Sequence, residues 1–328
     1  MFFKQLNQWF VRVIPNSYHS STSFRSYTEQ SQVGAVLFGV ASDLSLGRFR
    51  GRLSDSDGPE SICRALKKEY KGSPSFPLYD AGIIDELDGL EFNELQALQY
   101  QKIVGFFEKG HFPVVLGGGH EISISSYQAL SDYVNQPKHI AHQIHDNNEE
   151  KGRQARVGVI NFDAHFELRP TLSPKVGSVF HSIASYCTEH HRPFHYLGLG
   201  ICNRTNSQSS FEYAEQLGCH WLLDKEMTMR NKKIVQNKID LFLNDVDYVH
   251  ISFDLSVFSA TVASGVNLSR FQGVEWSIVE YALNRIISSG KVKILDVVEL
   301  NPEFDYDEQT ARIAAKVVST VLSKQAML

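Results

Sequence analysis

Six short runs of Val, Ile and Leu recur along the chain: GAVLFGV (34–40), FPVVLGG (112–118), RVGVINF (156–162), HYLGLGI (195–201), DYVHISF (247–253) and VKILDVVEL (292–300). They are too short for buried helices and too apolar for strands with one wet face. Runs of this kind belong to strands covered on both sides, which is the environment of a parallel sheet. Between them lie stretches of helical period, among them GPESICRALKKEY, FNELQALQYQKIVGFFEKG, EISISSYQALSDYV, NKKIVQNKIDLFL and WSIVEYALNRIISS, with TARIAAKVVSTVLSK near the end. Parallel neighbours need long crossover connections, and helices supply them. The alternation predicts an α/β fold: a three-layer αβα domain around a doubly wound, mainly parallel sheet.

With 328 residues and 42% hydrophobic composition, the chain can bury one large core, so residues 1–328 are read as a single domain. The one shift in composition is the polar stretch 135–155, NQPKHIAHQIHDNNEEKGRQA, which lacks a core-facing period and is expected as a surface excursion. Its His139, His142 and His145 are three residues apart, a spacing open both to a solvated loop and to weak metal binding on one helical turn. A net charge of -5 excludes broad attraction to nucleic acid or anionic membrane and favours a small-molecule substrate. Cys63, Cys187, Cys202 and Cys219 are widely spaced and form no CxxC pair, as expected of free thiols in a reducing compartment. In MFFKQLNQWFVRVIP, Lys4, Asn7, Gln8 and Arg12 interrupt any signal-peptide or membrane-spanning run, so a cytoplasmic location is expected.

Three segments carry candidate chemistry: LGGGHE (116–121), NFDAHFELR (161–169) and ISFDLS (251–256). Each follows or ends a predicted strand, and ligands of open α/β sheets gather beyond the carboxyl ends of strands. The glycines before His120 permit a close-packed strand exit. Asp163 and His165 are two apart, so in extended backbone they project to one side and can reach one ion. Asp254, at the polar end of an apolar strand, is costly to bury without a cation or donors. Taken singly, each has a structural alternative: a turn imidazole, an Asp cap, a helix cap. Together, His120, Asp163, His165, Glu167 and Asp254 form a divalent-metal donor set.

The joint pattern resembles the arginase, agmatinase and formimidoylglutamase family of manganese hydrolases, with the formimidoylglutamase branch nearest. The resemblance runs through GRFRGR, DGPESICRAL, YDAGII, VVLGGGHEIS, VINFDAHFELR, LGLGICNRTN, ISFDLSVFSATVASGV and VVELNPEFDYDEQTARIAA. It implies an arginase-like fold, two Mn2+ ions and a water made nucleophilic toward a guanidinium or formimidoyl carbon. By this resemblance one ion takes His120, Asp163, Glu167 and Asp254, and the other His165, Asp163, Asp254 and Ser256. The family has aspartate where this chain has Glu167 and Ser256. Glutamate keeps the charge on a longer arm; a serine hydroxyl is a poor ligand for a hard dication, so the ion held through His165 is expected to be the weaker.

The resemblance also places Glu299 against the cationic amidine or guanidine nitrogen. Arg169 suits a substrate carboxylate through its planar fork, and His181 lies near a family proton-shuttle position. Ser264 stands where the family has proline, and is expected to loosen its loop. The expected activity is hydrolysis of a non-peptide C–N bond, with formimidoylglutamate giving glutamate and formamide, in a homo-oligomer such as a trimer or hexamer. Two alternatives stand beside it: a non-catalytic relative with a degraded metal site, and a mononuclear amide hydrolase built on Asp163, His165 and Asp254.

Overall fold

A computed structural model describes residues 24–42, 57–70, 73, 75–85, 92–142, 153–171, 177–268 and 270–328. The motif GRFRGR, the N-terminal aromatic segment and His145 lie outside them. Along the chain run β1 (Phe24–Ser26), β2 (Ala35–Ala41), α1 (Gly58–Glu69), β3 (Leu78–Asp85), α2 (Phe92–Glu108), β4 (Phe112–Gly117), α3 (Ile122–Val134), α4 (Pro137–His142) and β5 (Val157–Phe162). There follow α5 (Val179–Glu189), β6 (His195–Ile201), α6 (Gln208–Gln216), β7 (His220–Leu223), α7 (Lys232–Asp245), β8 (Tyr248–Asp254), α8 (Trp276–Ile287), β9 (Val292–Val298) and α9 (Gln309–Gln325).

Among the described residues the strands form one nine-stranded sheet in the order β1-β3-β2-β4-β9-β8-β5-β6-β7, and every strand pairing is parallel. The six apolar runs all became strands. β1, β3 and β7 were not legible as strands: β3 carries Gly82 at φ 80° beside a register shift against β2, and β7 is a four-residue edge with one exposed and two half-buried positions. Helices α5 and α6 were also missed, and α6 buries only Ala214.

Two cores sandwich the sheet. On one face α1, α7, α8 and α9 meet Leu37, Val114, Leu116, Ile160, Phe162, Ile251, Phe253 and Leu295. On the other, α2, α3 and α5 meet Val36, Phe38, Val115, Val157, Val159 and Ile294. Alternate residues of one strand thus enter opposite cores, as the pleat requires. The helices earn their places by stripe: α8 buries Ile278, Val279, Ala282, Leu283, Ile286 and Ile287, a four-residue repeat, and α1 starts on Pro59 and closes with Lys67 and Lys68.

The 135–155 excursion leaves and returns through a clamp. Asn135 Oδ1 accepts from the Ala155 backbone N–H at 2.7 Å, and Asn135 Nδ2 donates to the Ala155 carbonyl at 3.3 Å. Beyond the clamp, α4 begins, and the His139 ring packs on Tyr133 with centroids 4.3 Å apart. All four cysteines are buried and free. Among the described residues no helix is long and apolar enough to cross a membrane.

Candidate metal centre

The four central strands, β4, β9, β8 and β5, lie side by side and deliver every candidate ligand at their carboxyl ends. His120 follows β4, Glu299 follows β9, Asp254 ends β8, and Asp163, His165 and Glu167 follow β5. The glycine run before His120 works by close approach: a Cβ on Gly117 would stand 2.6 Å from the Ile122 side chain, while the run shows no left-handed backbone. Gly118 and Gly119 donate to the Val40 and Ser42 carbonyls at 3.1 Å each, which ties the exit to β2.

His120, Asp163 and Glu167 each offer a ligand atom within 4.8 Å of the others. His120 Nδ1 is buried without a hydrogen-bond partner, 3.5 Å from Asp163 Oδ2 and 3.4 Å from Asp254 Oδ2. A buried nitrogen aimed at two carboxylates and satisfied by neither is what a cation between them would resolve. Asp163 is used unevenly. Its Oδ1 accepts from the His165 backbone N–H at 2.8 Å and the Ser256 hydroxyl at 3.2 Å, with His165 Nδ1 at 3.3 Å. Its Oδ2 accepts from Asn161 Nδ2 at 3.2 Å and faces His120. The donor set therefore fits an ion on the His120 side. On the His165 side Ser256 brings a hydroxyl that already donates to the shared carboxylate.

Asp254 Oδ1 accepts from the Ser256 backbone N–H at 2.6 Å, capping a single 3₁₀ turn, Leu255–Val257. Arg270 Nη2 donates to the Ser256 carbonyl at 2.9 Å and so holds that turn from below. Neither Asn161 nor Arg270 was expected from sequence; a polar Asn inside the apolar run RVGVINF was the available signal.

Burial disfavours charge on His120 and His165, but the nearby Asp254 and Asp163 carboxylates overcome it for His120, and Asp163 does so for His165; both are pushed up to about 9. Burial raises Glu167 to about 7, partly relieved by His120, and Asp254 is raised by burial and by Asp163. Asp163 is held low despite its burial, chiefly by His165. The cluster holds protons where a cation would sit.

Glu167 and Glu299 have φ of 52° and 68°, left-handed backbone for bulky L residues. Each is held there by its neighbours: the Glu167 carbonyl accepts from Phe180 N–H at 2.8 Å, and Glu299 N–H donates to the Gly118 carbonyl at 2.9 Å. Glu299 Oε1 accepts from the His120 backbone N–H at 3.0 Å, which places this carboxylate beside the candidate ligand. Arg169 is exposed on the rim of a cleft of about 730 Å³ that His165, Glu167, Asn206 and Tyr213 also line. His181 lies on α5, its Nδ1 2.9 Å from the Tyr213 hydroxyl. In the loop after Asp254, Ser264 Oγ accepts from Tyr306 N–H at 3.3 Å, and Gly265 N–H donates to Thr310 Oγ1 at 2.8 Å.

Fold and rim together define a class, an α/β scaffold whose central parallel strands converge on a carboxylate–imidazole donor set suited to a divalent ion. Residues 33–323 match the arginase family, and the chain belongs to that family. It is 36% identical over 291 residues to a formimidoylglutamase of Ralstonia nicotianae, covering 88% of this chain and 85% of the relative. It is 33% identical over 289 residues to that of Aeromonas salmonicida, covering 88% and 86%. In fold it is similar to formimidoylglutamase from Bacillus subtilis, with 22% identity, a TM-score of 0.77 and 97% of both chains covered. A Trypanosoma cruzi formiminoglutamase structure described with Mn2+ matches at 21% identity and a TM-score of 0.73, covering 91% of this chain and 96% of that one.

Proposed function

We propose that this chain is a Mn2+-dependent hydrolase of a linear amidine, N-formimidoyl-L-glutamate, yielding L-glutamate and formamide. The observation that carries the reading is the partnerless His120 Nδ1 facing Asp163 and Asp254, with Glu167 in reach, on a scaffold whose relatives bear the formimidoylglutamase name. When bound, Mn2+ would supply Lewis acidity and make a water more acidic near neutral pH. His120, Asp163, Glu167 and Asp254 would hold the first ion; His165, Asp163, Asp254 and Ser256 would hold a second, weaker one.

Glu299, fixed beside His120, pairs with the cationic amidine nitrogen and orients its carbon toward the cluster. Arg169, on the open rim, receives a substrate carboxylate in bidentate fashion. Water adds to the formimidoyl carbon, the bond to the glutamate nitrogen breaks, and that nitrogen takes a proton and leaves as the amine. His181, whose Nδ1 meets the Tyr213 hydroxyl, would pass that proton. The protein acts on this small substrate as a homo-oligomer.

Product analysis separates the reading from its neighbours. Protein loaded with Mn2+ and given N-formimidoyl-L-glutamate releases formamide and glutamate in equal amounts, and releases no urea from arginine or agmatine. Urea release from either guanidine, with no formamide from the amidine, would move the substrate elsewhere in the family. A one-ion form of the same enzyme is favoured specifically by the Ser256 hydroxyl on Asp163.

A further inference from the structure

Strand β8 turns a polar face toward the α3 core: His250, Ser252 and Asp254 alternate with the apolar Val249, Ile251 and Phe253. All three polar residues are buried, and Asp296 is the cross-strand partner of Ser252 on β9. From His120 a line of hydrogen bonds runs inward through this face. His120 Nε2 lies 2.8 Å from Ser252 Oγ, Ser252 Oγ lies 3.0 Å from Ser123 Oγ, and Ser123 Oγ donates to Asp296 Oδ2 at 2.8 Å. On its far side Asp296 Oδ2 also accepts from His250 Nε2 at 2.7 Å.

Counting protons fixes the direction of the line. A carboxylate only accepts, so the single Ser123 hydroxyl proton goes to Asp296. Ser123 can then only accept from Ser252, so the Ser252 proton goes to Ser123. Ser252 can in turn only accept from His120, which therefore carries its proton on Nε2. A neutral imidazole with Nε2–H has its lone pair on Nδ1, the atom that faces Asp163 and Asp254.

We propose that Ser123 and Asp296 are positioning residues: through Ser252 they hold the His120 ring proton on Nε2, so that the neutral ring turns its Nδ1 lone pair, and no other atom, toward the metal. The proposal rests on the metal reading above only for the cation that the lone pair would meet. The tautomer itself is a property of the metal-free chain. Asp296 is the anchor because it is fully buried, held by β9, and supplies one oxygen to donors from both α3 and β8. Ser123 is the switchable link, since without its oxygen the Ser252 hydroxyl can turn and donate to His120 Nε2, sending the imidazole proton to Nδ1.

The test is long-range nitrogen–proton NMR of histidine-labelled, metal-free protein at about pH 10, where the ring is neutral, paired with Mn2+ affinity by calorimetry. Wild type shows His120 protonated on Nε2. Ser123→Ala, a small change near the start of α3, moves the proton wholly or partly to Nδ1 and weakens Mn2+ binding ~10–100-fold, as loss of a ligand-orienting partner does. A variant that merely loosened packing would lower the melting temperature and leave the proton on Nε2. The proposal is overturned by an Nδ1–H tautomer in wild type, or by a Ser123→Ala protein that keeps the proton wholly on Nε2, whatever its Mn2+ affinity or melting temperature. Wild type with Nε2–H that binds no Mn2+ would uphold the relay and sink the metal reading instead.

Discussion

Ser256→Asp puts a carboxylate where the proposed second ion lacks one, and its effects should have opposite signs with and without metal. Ser256 Oγ is 3.2 Å from Asp163 Oδ1. At an effective dielectric of ~20, a second carboxylate at that separation repels the first by ~5 kcal/mol gross. The same carboxylate ~4 Å from a dication is attracted by ~8 kcal/mol gross, twice the unit-charge value. Desolvation and partial protonation reduce both, and a surviving ~2–3 kcal/mol corresponds to ~30–150-fold tighter binding of the second ion. The assay is thermal unfolding of metal-stripped and Mn2+-saturated protein, with calorimetric stoichiometry alongside. Ser256→Asp should melt lower than wild type without metal and higher with it, and should bring the second ion to full occupancy. A variant whose melting temperature and Mn2+ stoichiometry both match wild type would show that residue 256 is not beside an ion, and the asymmetric account of the site would fall.

Acidity gives a second check. In the metal-free chain His120 and His165 rise from 6.5 to about 9 and Glu167 from 4.5 to about 7. A raised value stabilises the fold below the ordinary one and loses that contribution as pH climbs through the shifted one. The metal-free melting temperature should therefore fall between pH 4.5 and about 9, while the protection given by Mn2+, which displaces the same protons, grows over that window; a flat metal-free profile speaks against this. Glu299→Gln keeps an oxygen for the His120 N–H but not the charge for the amidine, so Mn2+ binding should survive while kcat/KM drops ~100-fold; equal loss of Mn2+ binding would make Glu299 a structural strut. Asn135→Ala opens the clamp under the 135–155 excursion and should cost ~1–3 kcal/mol of stability by chemical denaturation, with Mn2+ affinity unchanged. A change in Mn2+ affinity would tie that excursion to the site.

The sheet was readable because its central strands are buried on both faces, so GAVLFGV, FPVVLGG and their kin leave no other assignment. The edges were not, since β7 has one exposed and two half-buried residues and β1 is three residues long. The convergence of the candidate ligands was legible for a related reason: His120, Asp163 and Asp254 are polar residues placed where apolar strands end, and the sheet order makes those ends neighbours. What pattern reading could not supply was the orientation within the set. Whether Ser256 coordinates or donates depends on a hydroxyl 3.2 Å from Asp163, a distance fixed by the 3₁₀ turn that Asp254 caps. Likewise His250, Ser252 and Asp296 read as isolated polar interruptions of apolar strands; only the β8–β9 register and the position of Ser123 on α3 join them into one line.

The most direct test of the whole account is formamide release from N-formimidoyl-L-glutamate as Mn2+ is titrated into metal-stripped, folded protein. The account predicts no release without Mn2+ and a rate that climbs with occupancy of the His120 side. A protein that takes up Mn2+ and releases no formamide, or one that releases it equally well in the presence of a chelator, would contradict it.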